Sequence, residues 1–148
     1  MAILIAHRGN TNGPDPSREN HPDYIDEAIG MGFDVEVDVR VIDGTIWLGH
    51  DDPQYQVPSQ FLHDRGSKLW CHAKNLAALQ FLLKNGLHVF SHDNDDYIIT
   101  SKGFIWAYPG KPVNEDTICV MPERASYTVD ALLRCRGVCS DFVSQIRL

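Results

Sequence analysis

The run "DVEVDVR", residues 34–40, alternates charged and apolar side chains without a break. Such alternation is typical of a β-strand, because successive side chains of a strand point to opposite faces of the sheet. The valines of this run therefore share one face, and its acids and arginine share the other. Residues two apart on a strand are separated by roughly 6.5 Å, so the carboxylates of Glu36 and Asp38 can converge on one cation. The alternative interpretation is an ordinary solvated face of a sheet.

The residues after this strand predict a hairpin. Asp43 and Gly44 are typical of a tight turn, and "TIWLGHD", residues 45–51, then returns antiparallel to the strand. The turn brings His50 and Asp51 beside the two carboxylates. A single histidine is most often structural, but a histidine next to a carboxylate pair is a candidate general acid or base because its pKa lies near neutrality.

A second group of polar residues follows the first predicted strand. "AILIA", residues 2–6, is an apolar run typical of a strand buried on both faces, and it leads directly into His7, Arg8 and Gly9. The carboxyl ends of parallel strands are where α/β sheets and barrels build their sites, and the fork of an arginine suits bidentate contact with phosphate. We therefore expect His7 and Arg8 to share one rim with the carboxylates.

Strand-like and helix-like segments alternate along the rest of the chain. Further strands are predicted at "KLWCHAK" (68–74), "LHVFSHD" (87–93), "FIWAYPG" (104–110), "TICVMPE" (117–123) and "VCSDFV" (138–143), and helices at "HPDYIDEAIGMG" (21–32), "NLAALQFLLKNG" (75–86) and "YTVDALLRCRG" (127–137). Parallel pairing follows, because each parallel neighbour needs a crossover connection. About seven or eight strands predict one α/β domain over residues 1–148, as a sheet or a barrel. An ordinary eightfold barrel takes at least about 200 residues, so a barrel of this length must have a reduced helical layer.

The composition excludes some classes of protein. With 13 basic and 20 acidic residues, the net charge of -7 argues against a surface for nucleic acid, so any bound phosphate must be met by a local cluster of cations. The apolar run at residues 2–6 is too short for a signal peptide and far below the roughly 18 residues of a spanning helix, and we expect a cytoplasmic protein. Reduced, buried thiols are expected at Cys71, Cys119, Cys135 and Cys139, and a zinc half-site at the last two is the alternative.

Short motifs at the start of the chain occur in a recognisable order. They are His7-Arg8-Gly9, Glu19-Asn20, Glu36-Val37-Asp38 and His50-Asp51. In this set and order the chain resembles the glycerophosphodiester phosphodiesterase family, of the phospholipase-C-like phosphodiesterase superfamily, whose pattern is H-R-G, E-N, E-x-D and H-D. The match is weaker at His72 and Lys74, where the family has E-x-K, and at Ser140, Asp141 and Phe142, where it has a T-D-Y-P-like sequence. The resemblance implies a small or degenerate (βα) TIM-type barrel with its site at the carboxyl-terminal rim.

The resemblance also implies a chemistry, the metal-dependent hydrolysis of a phosphodiester such as a glycerophosphodiester. His7 and His50 would act as the acid–base pair on the phosphodiester. The other implied roles are metal binding by Glu36, Asp38 and His72, phosphate binding by Arg8 and Lys74, and support from Glu19 and Asp51. The implied cofactor is a divalent metal ion, Mg²⁺ or Ca²⁺ by resemblance.

His72 stands where the family has a glutamate, and it leaves the third metal ligand open. An imidazole favours Mn²⁺, Zn²⁺ or Fe²⁺ over Ca²⁺, although Mg²⁺ with extra waters is compatible. Alternatively, Asp93 in "SHDNDD", residues 91–96, completes the ligand set, and His72 is a polar side chain bonded to a neighbour.

Trp106 and Tyr108 share one face of the predicted strand at residues 104–110. Their polar tips suit the mouth of a site, so Trp106 is a candidate substrate contact. Packing in the core or at the rim is the alternative interpretation.

Two other functions stay open at this point. A catalytically idle domain that binds a phosphorylated ligand would explain the missing glutamate. A lyase that releases a cyclic phosphate, as in the related sphingomyelinase D group, would keep the same residues. The expected partner is a small phosphodiester, with no membrane span, and a homo-oligomer is expected because a reduced helical layer leaves apolar surface exposed.

Overall fold

The computed structural model describes residues 2–147. Its strands are β1 (Ile3–His7), β2 (Asp34–Ile42), β3 (Thr45–Leu48), β4 (Tyr55–Val57), β5 (Leu69–Ala73), β6 (Val89–Phe90), β7 (Tyr97–Ile99), β8 (Ile105–Ala107), β9 (Thr117–Val120) and β10 (Gly137–Ser140). Its α-helices are α1 (Pro22–Gly30), α2 (Ser59–Asp64), α3 (Leu76–Lys84) and α4 (Val129–Arg134), with 3-10 turns at Pro122–Arg124 and Val143–Gln145. No helix within this range has the length and apolar character needed to cross a bilayer.

The strands form one curled, mixed sheet. Its main path runs β4-β3-β2-β1-β10-β9-β8-β7, and β5 and β6 extend it from the other side of β2. The pairs that involve β3, β4 or β7 are antiparallel, and the other pairs are parallel. The sheet curls far enough that the Ser101 N–H, just after β7, donates to the Val89 carbonyl of β6 over 2.8 Å. The inside of this curl is a second interior, distinct from the one under the helices.

The predicted (βα) TIM-type barrel is wrong, because helices do not alternate with the strands around the sheet. Helices lie between β1 and β2, β4 and β5, β5 and β6, and β9 and β10, but the described connections from β6 through β9 contain none. Residues 91–96 and 108–116 make up two of these connections. They are rich in Asp, Asn, Gly and Pro, which favour turns over helices, and they carry no apolar stripe to pack on the sheet. The result is a mixed half-barrel.

Several local predictions are confirmed. Parallel pairing holds for β1 with β2 and for β2 with β5. The hairpin turn lies at Asp43 and Gly44, which both have positive φ angles of 50° and 78°, the requirement of a tight turn between antiparallel strands. All four cysteines are free and buried. The short elements β4, α2 and β7 are not among the strands and helices predicted from the sequence.

Two apolar layers stabilise the fold. Outside the sheet, Val35, Val37 and Val39 of β2 are fully buried in a cluster that includes Ile25 of α1 and Leu82 of α3. Inside the curl, a separate cluster of buried side chains holds Ile5, Trp70, Phe90, Trp106, Ile118, Val120, Met121 and Cys139. The inward-facing residues become polar at the carboxyl ends of the parallel strands, where a cavity opens.

Candidate functional site

A cavity of about 250 Å³ opens inside the curl, at the carboxyl ends of the parallel strands. We call it the rim cavity. Seven residues expected from the sequence line it: His7, Arg8, Glu36, Asp38, His50, His72 and Trp106. The prediction that residues from β1, β2 and the segment after β3 meet at one rim is therefore confirmed.

Three potential metal ligands meet on β2 and β5. Asp38 and His72 are direct partners in the parallel register of these strands, and Glu36 lies two residues earlier on the same face of β2. One ligand atom from each residue falls within 4.8 Å of the others. Glu36 and Asp38 are 3% and 1% exposed, so both carboxylates are withdrawn from solvent.

Two oxygens of this cluster accept no hydrogen bond from any residue in the range 2–147. Glu36 Oε1 and Asp38 Oδ1 are buried and accept no hydrogen bond. The imidazole nitrogen His72 Nδ1 lies 3.3 Å from Asp38 Oδ1. Buried carboxylate oxygens left unpaired are costly, and a divalent cation would compensate both. Two oxygens and one imidazole nitrogen fit Mn²⁺ or Zn²⁺, and Mg²⁺ with added waters.

The alternative third ligand, Asp93, does not join this cluster. Its side chain is exposed and does not line the rim cavity, whereas His72 is buried beside Asp38. Phe90 and His92 stack on the His72 ring, with centroids at 5.1 and 4.6 Å. This stacking holds the imidazole plane in place, so the geometry favours His72 over Asp93 as the third ligand.

The second oxygen of Asp38 is held by a loop. Asn20 donates from Nδ2 to Asp38 Oδ2 over 2.9 Å, and its Oδ1 accepts the Asp38 backbone N–H over 2.9 Å. Asn20 and Arg8 both adopt positive φ angles, 66° and 56°, and the Asn20 N–H donates to the Arg8 carbonyl. Such angles are uncommon for residues other than glycine. The loop thus accepts local backbone strain and fixes the orientation of Asp38.

The two buried carboxyl groups have opposite pKa shifts. Burial disfavours charge on both, and for Glu36 the adjacent charge of Asp38 adds to this effect and raises the pKa of Glu36. For Asp38 the neighbouring imidazoles of His50 and His72 and the guanidinium of Arg8 outweigh burial and hold the pKa of Asp38 well below its usual value. Asp38 is therefore the stable anion of the pair.

His7 is held between two carboxylates. Its Nδ1–H donates to Asp141 Oδ1 over 2.7 Å, which leaves Nε2 at 3.6 Å from Glu36 Oε2. Burial opposes charge on the ring, but the Asp141 hydrogen bond and the Glu36 charge together raise the pKa of His7. Asp141 sets the tautomer and the ring orientation, as a carboxylate partner does for a histidine that moves protons.

Arg8 connects the loop to His50. Its Nη1 donates to Glu19 Oε1 over 3.2 Å, its Nε lies 3.3 Å from Asp38 Oδ2, and its Nη2 donates to His50 Nδ1 over 2.7 Å. An arginine only donates, so His50 Nδ1 is the acceptor and the ring proton is on Nε2. His50 Nε2 lies 3.5 Å from Asp51 Oδ1. The expected support from Glu19 and Asp51 is thus present as contacts.

Lys74 is the expected substrate-binding residue that does not line the rim cavity. The supporting residues Glu19 and Asp51 do not line it either, but they contact Arg8 and His50. Lys74 follows β5, its backbone N–H donates to the Val39 carbonyl, and its side chain does not line the cavity. Arg124, by contrast, lines the cavity with a largely exposed side chain, 3.9 Å from Asp141 Oδ2. No motif in the sequence pointed to Arg124.

Two polar residues behind His7, the buried Asn10 and the exposed Glu123, were not predicted from the sequence. Asn10 is fully buried and donates to both Asp141 Oδ1 and Glu19 Oε2, over 2.9 and 2.8 Å. Glu123 accepts the Asp141 backbone N–H over 3.1 Å. The T-D-Y-P-like motif indicates Asp141 in the sequence, but it does not indicate which residues form hydrogen bonds with Asp141.

Comparisons with known proteins assign no family to this chain. No family model, no curated protein and no solved structure matches it. The chemistry of the rim cavity therefore follows from its own residues. These are two histidines of defined tautomer, the guanidinium groups of Arg8 and Arg124, and two buried carboxylate oxygens that accept no hydrogen bond from the described residues.

Proposed function

We propose that the protein is a metal-dependent phosphodiesterase whose substrate binds in the rim cavity. The observation that carries the proposal is the meeting of His7, Arg8 and His50 with the two unpartnered oxygens of Glu36 and Asp38 in one enclosed space. A phosphodiester anion offers oxygens to cations, and its cleavage needs one proton removed from the attacking hydroxyl and one given to the departing oxygen; the cations and the imidazoles for these tasks are at the wall. The order of the motifs shared with glycerophosphodiester phosphodiesterases supports the same reaction.

Substrate binding depends on opposite charge in a buried space. Arg8 is held in place by Glu19 and Asp38 and presents a fixed cation to a non-bridging oxygen. Glu36, Asp38 and His72 would hold a divalent metal ion, which offsets phosphate charge and lowers the pKa of an attacking oxygen when bound. The exposed Arg124 at the cavity mouth adds positive charge for an incoming anion.

The reaction needs one proton taken and one given. A hydroxyl attacks phosphorus, a new P–O bond forms, and the P–O bond to the departing alcohol breaks. One of His7 and His50 accepts the proton of the attacking hydroxyl, and the other donates a proton to the departing oxygen. Asp141 keeps the His7 ring oriented through Nδ1, so that its Nε2 is the nitrogen available for this transfer.

The test is hydrolysis of bis(p-nitrophenyl) phosphate by the purified protein with Mn²⁺, Mg²⁺, Zn²⁺ or Ca²⁺. We expect activity that a chelator abolishes and that His7→Ala and His50→Ala each reduce at least about 100-fold. His63→Ala, an exposed histidine on α2, is the matched control and keeps full activity. Full activity in the His7 and His50 variants, or turnover that resists the chelator, would refute the proposal.

Phosphorus NMR of the product from a substrate with a neighbouring hydroxyl distinguishes hydrolase from lyase. A phosphomonoester signal supports hydrolysis, and a persistent cyclic phosphate identifies a lyase. Phosphodiester binding without turnover under every metal would instead identify a phosphoryl-binding protein.

Location and assembly belong to the same proposal. Four free, buried cysteines are what a reducing cytoplasm permits, and cell fractionation tests this. Leu76, Ile99 and Val129 are 80%, 75% and 68% exposed, and exposed apolar side chains favour self-association. Analytical ultracentrifugation of the purified chain tests the oligomer.

A further inference from the structure

The rim cavity has two unlike walls. One wall, from β1, β2, β5 and the segment after β3, is polar and carries the residues of the proposed reaction. The facing wall is mainly apolar. Its apolar residues are Phe90, Ile98, Trp106, Pro109, Val120 and Met121, and it also includes His92, Asp95, Tyr108 and Arg124. Phe90 and Trp106 are 2% and 4% exposed, so they form the closed part of this wall and are not its rim.

The apolar wall begins directly beside the candidate metal ligands. The ring of Phe90 stacks on His72 with a centroid distance of 5.1 Å and an angle of 13°. Trp106 follows, with its ring centroid 4.5 Å from that of Phe90. A phosphoryl group between Arg8 and His72 therefore has its next substituent against the two aromatic rings.

Polar partners for that substituent are scarce. The indole N–H of Trp106 donates to no group within residues 2–147, unlike that of Trp70, which donates to Asp34 over 2.9 Å, so it is the one side-chain donor that Phe90 and Trp106 offer there. Asp95, Tyr108 and Arg124 are exposed and lie at the mouth, and His92 is half-buried with its ring stacked on His72. A polyol such as glycerol would find this one indole donor for its several hydroxyls, and the hydroxyls left without a partner would lose water without gaining hydrogen bonds, which is unfavourable.

We infer that the ester group carried by the substrate is short and apolar, of the size of a benzene ring or a branched alkyl group, and that Phe90, Trp106 and Ile98 select it. This inference rests on the proposed function for the phosphoryl half of the cavity. Its size limit comes from the cavity volume of about 250 Å³, which is below the roughly 300 to 1,000 Å³ of sites for drug-sized ligands. A phosphate and one ring fill such a space, and a long acyl chain would not be enclosed.

The first experiment measures the binding of phenyl phosphate, glycerol 3-phosphate and inorganic phosphate by calorimetry, on the full chain with MnCl₂. We expect phenyl phosphate to bind at least about tenfold more tightly than glycerol 3-phosphate, because only the ring buries apolar surface. Trp106→Ala and Ile98→Asn, the second at a half-buried edge position, each reduce this preference. Trp47→Ala changes a tryptophan of β3 that does not line the cavity and keeps the preference.

The second experiment separates the apolar wall from the phosphoryl site. Benzyl alcohol and glycerol are titrated without metal while the indole N–H signals of the three tryptophans are followed by NMR. We expect benzyl alcohol to shift the Trp106 signal, identified by its loss in Trp106→Phe, and glycerol to leave it unchanged.

The outcomes distinguish the two claims. If no phosphate compound binds, the proposed function fails, and a Trp106 shift with benzyl alcohol still upholds an apolar ligand site. Equal affinity for phenyl phosphate and glycerol 3-phosphate overturns the inference while leaving the phosphodiesterase proposal in place. A preference for phenyl phosphate that survives in both Trp106→Ala and Ile98→Asn, or the absence of any Trp106 shift, also overturns it.

Discussion

The two faces of β2 are both buried, but they have different roles. Val35, Val37 and Val39 face the helices at 0% exposure, and Glu36 and Asp38 face the cavity at 3% and 1%. Burying a valine stabilises the fold by about 1.5 to 3 kcal/mol. Burying a carboxylate costs free energy unless partners compensate it, and one oxygen of each carboxylate accepts no hydrogen bond within residues 2–147. The outer face therefore stabilises the protein, and the inner face is suited to binding a ligand.

The largest effect should come from placing a charge on the outer face. In Val37→Asp the new carboxylate has no cation nearby, and we expect a loss of more than about 4 kcal/mol in the free energy of unfolding, enough to leave the chain unfolded. Urea titration followed by circular dichroism measures this. Val41→Asp, on the same face but only partly buried near the strand end, should lose much less. A cooperative transition for Val37→Asp within about 1 kcal/mol of the unaltered protein would contradict the comparison.

A smaller effect is expected where the inner face positions His7. Asp141→Asn removes the carboxylate that fixes Nδ1, and we expect turnover of bis(p-nitrophenyl) phosphate to fall about 100-fold or more. The pKa of His7 falls as well, because Asp141 contributes to raising it. His7 of the variant therefore loses its proton at a lower pH than His7 of the unaltered protein, and the pH–rate profile measures this shift. Asp130→Asn, an exposed carboxylate on α4, should leave both rate and profile unchanged.

The next effect is that of Glu36→Gln on stability, and it has opposite signs with and without metal. The raised pKa of Glu36 means that the folded protein disfavours its charged form, first by burial and then by the charge of Asp38. Glu36→Gln removes that charge and should stabilise the metal-free protein at pH 7. The variant should also lose the stabilisation of about 2.7 kcal/mol that Mn²⁺ at 100 times its Kd gives a single site. Thermal unfolding with and without Mn²⁺ measures both, and equal metal stabilisation in the variant would exclude Glu36 as a ligand.

The part of the site that local sequence predicts lies within residues 34–51. Alternation determines which side chains of β2 face inward, and the turn at Asp43 and Gly44 determines the register of β3. His50 then reaches Asp38, with Nδ1 3.6 Å from Oδ2. Each step depends on residues close in sequence, so the local sequence pattern is sufficient to predict where these side chains lie.

The fold class and the support of His7 depend on contacts far apart in sequence. Counting strand-like segments predicts parallel pairing but not whether each connection contains a helix, and the turn-rich loops from β6 to β9 make the difference. Asn10 and Asp141 are 131 residues apart. They meet because β1 and β10 pair in parallel, with Ala6 opposite Ser140. No local pattern specifies that pairing, so the hydrogen bond behind His7 was not predictable.

The smallest effect concerns a second buried histidine inside the curl. His88 packs on Trp70 and bonds through Nε2 to Thr100 Oγ1 over 2.7 Å, but it has no carboxylate beside it as His7 has. Burial, with a smaller contribution from the charge of Lys102, lowers the pKa of His88 to about 4. The unfolded chain has a histidine pKa of about 6.5, so as the pH falls below that value the unfolded state binds a proton that the folded state does not.

The free energy of unfolding should therefore decrease as the pH is lowered from about 6.5 to about 4. From a pKa of about 4 in the fold, the contribution of His88 at pH 5 is about 2 kcal/mol relative to pH 8. His88→Gln cannot titrate and can still bond to Thr100, so urea titrations at pH 8 and pH 5 should differ by about 2 kcal/mol less in this variant than in the unaltered protein. His63→Gln, exposed on α2, should show the unaltered difference. An identical pH dependence in His88→Gln would mean that His88 is protonated in the fold, which its apolar surroundings disfavour.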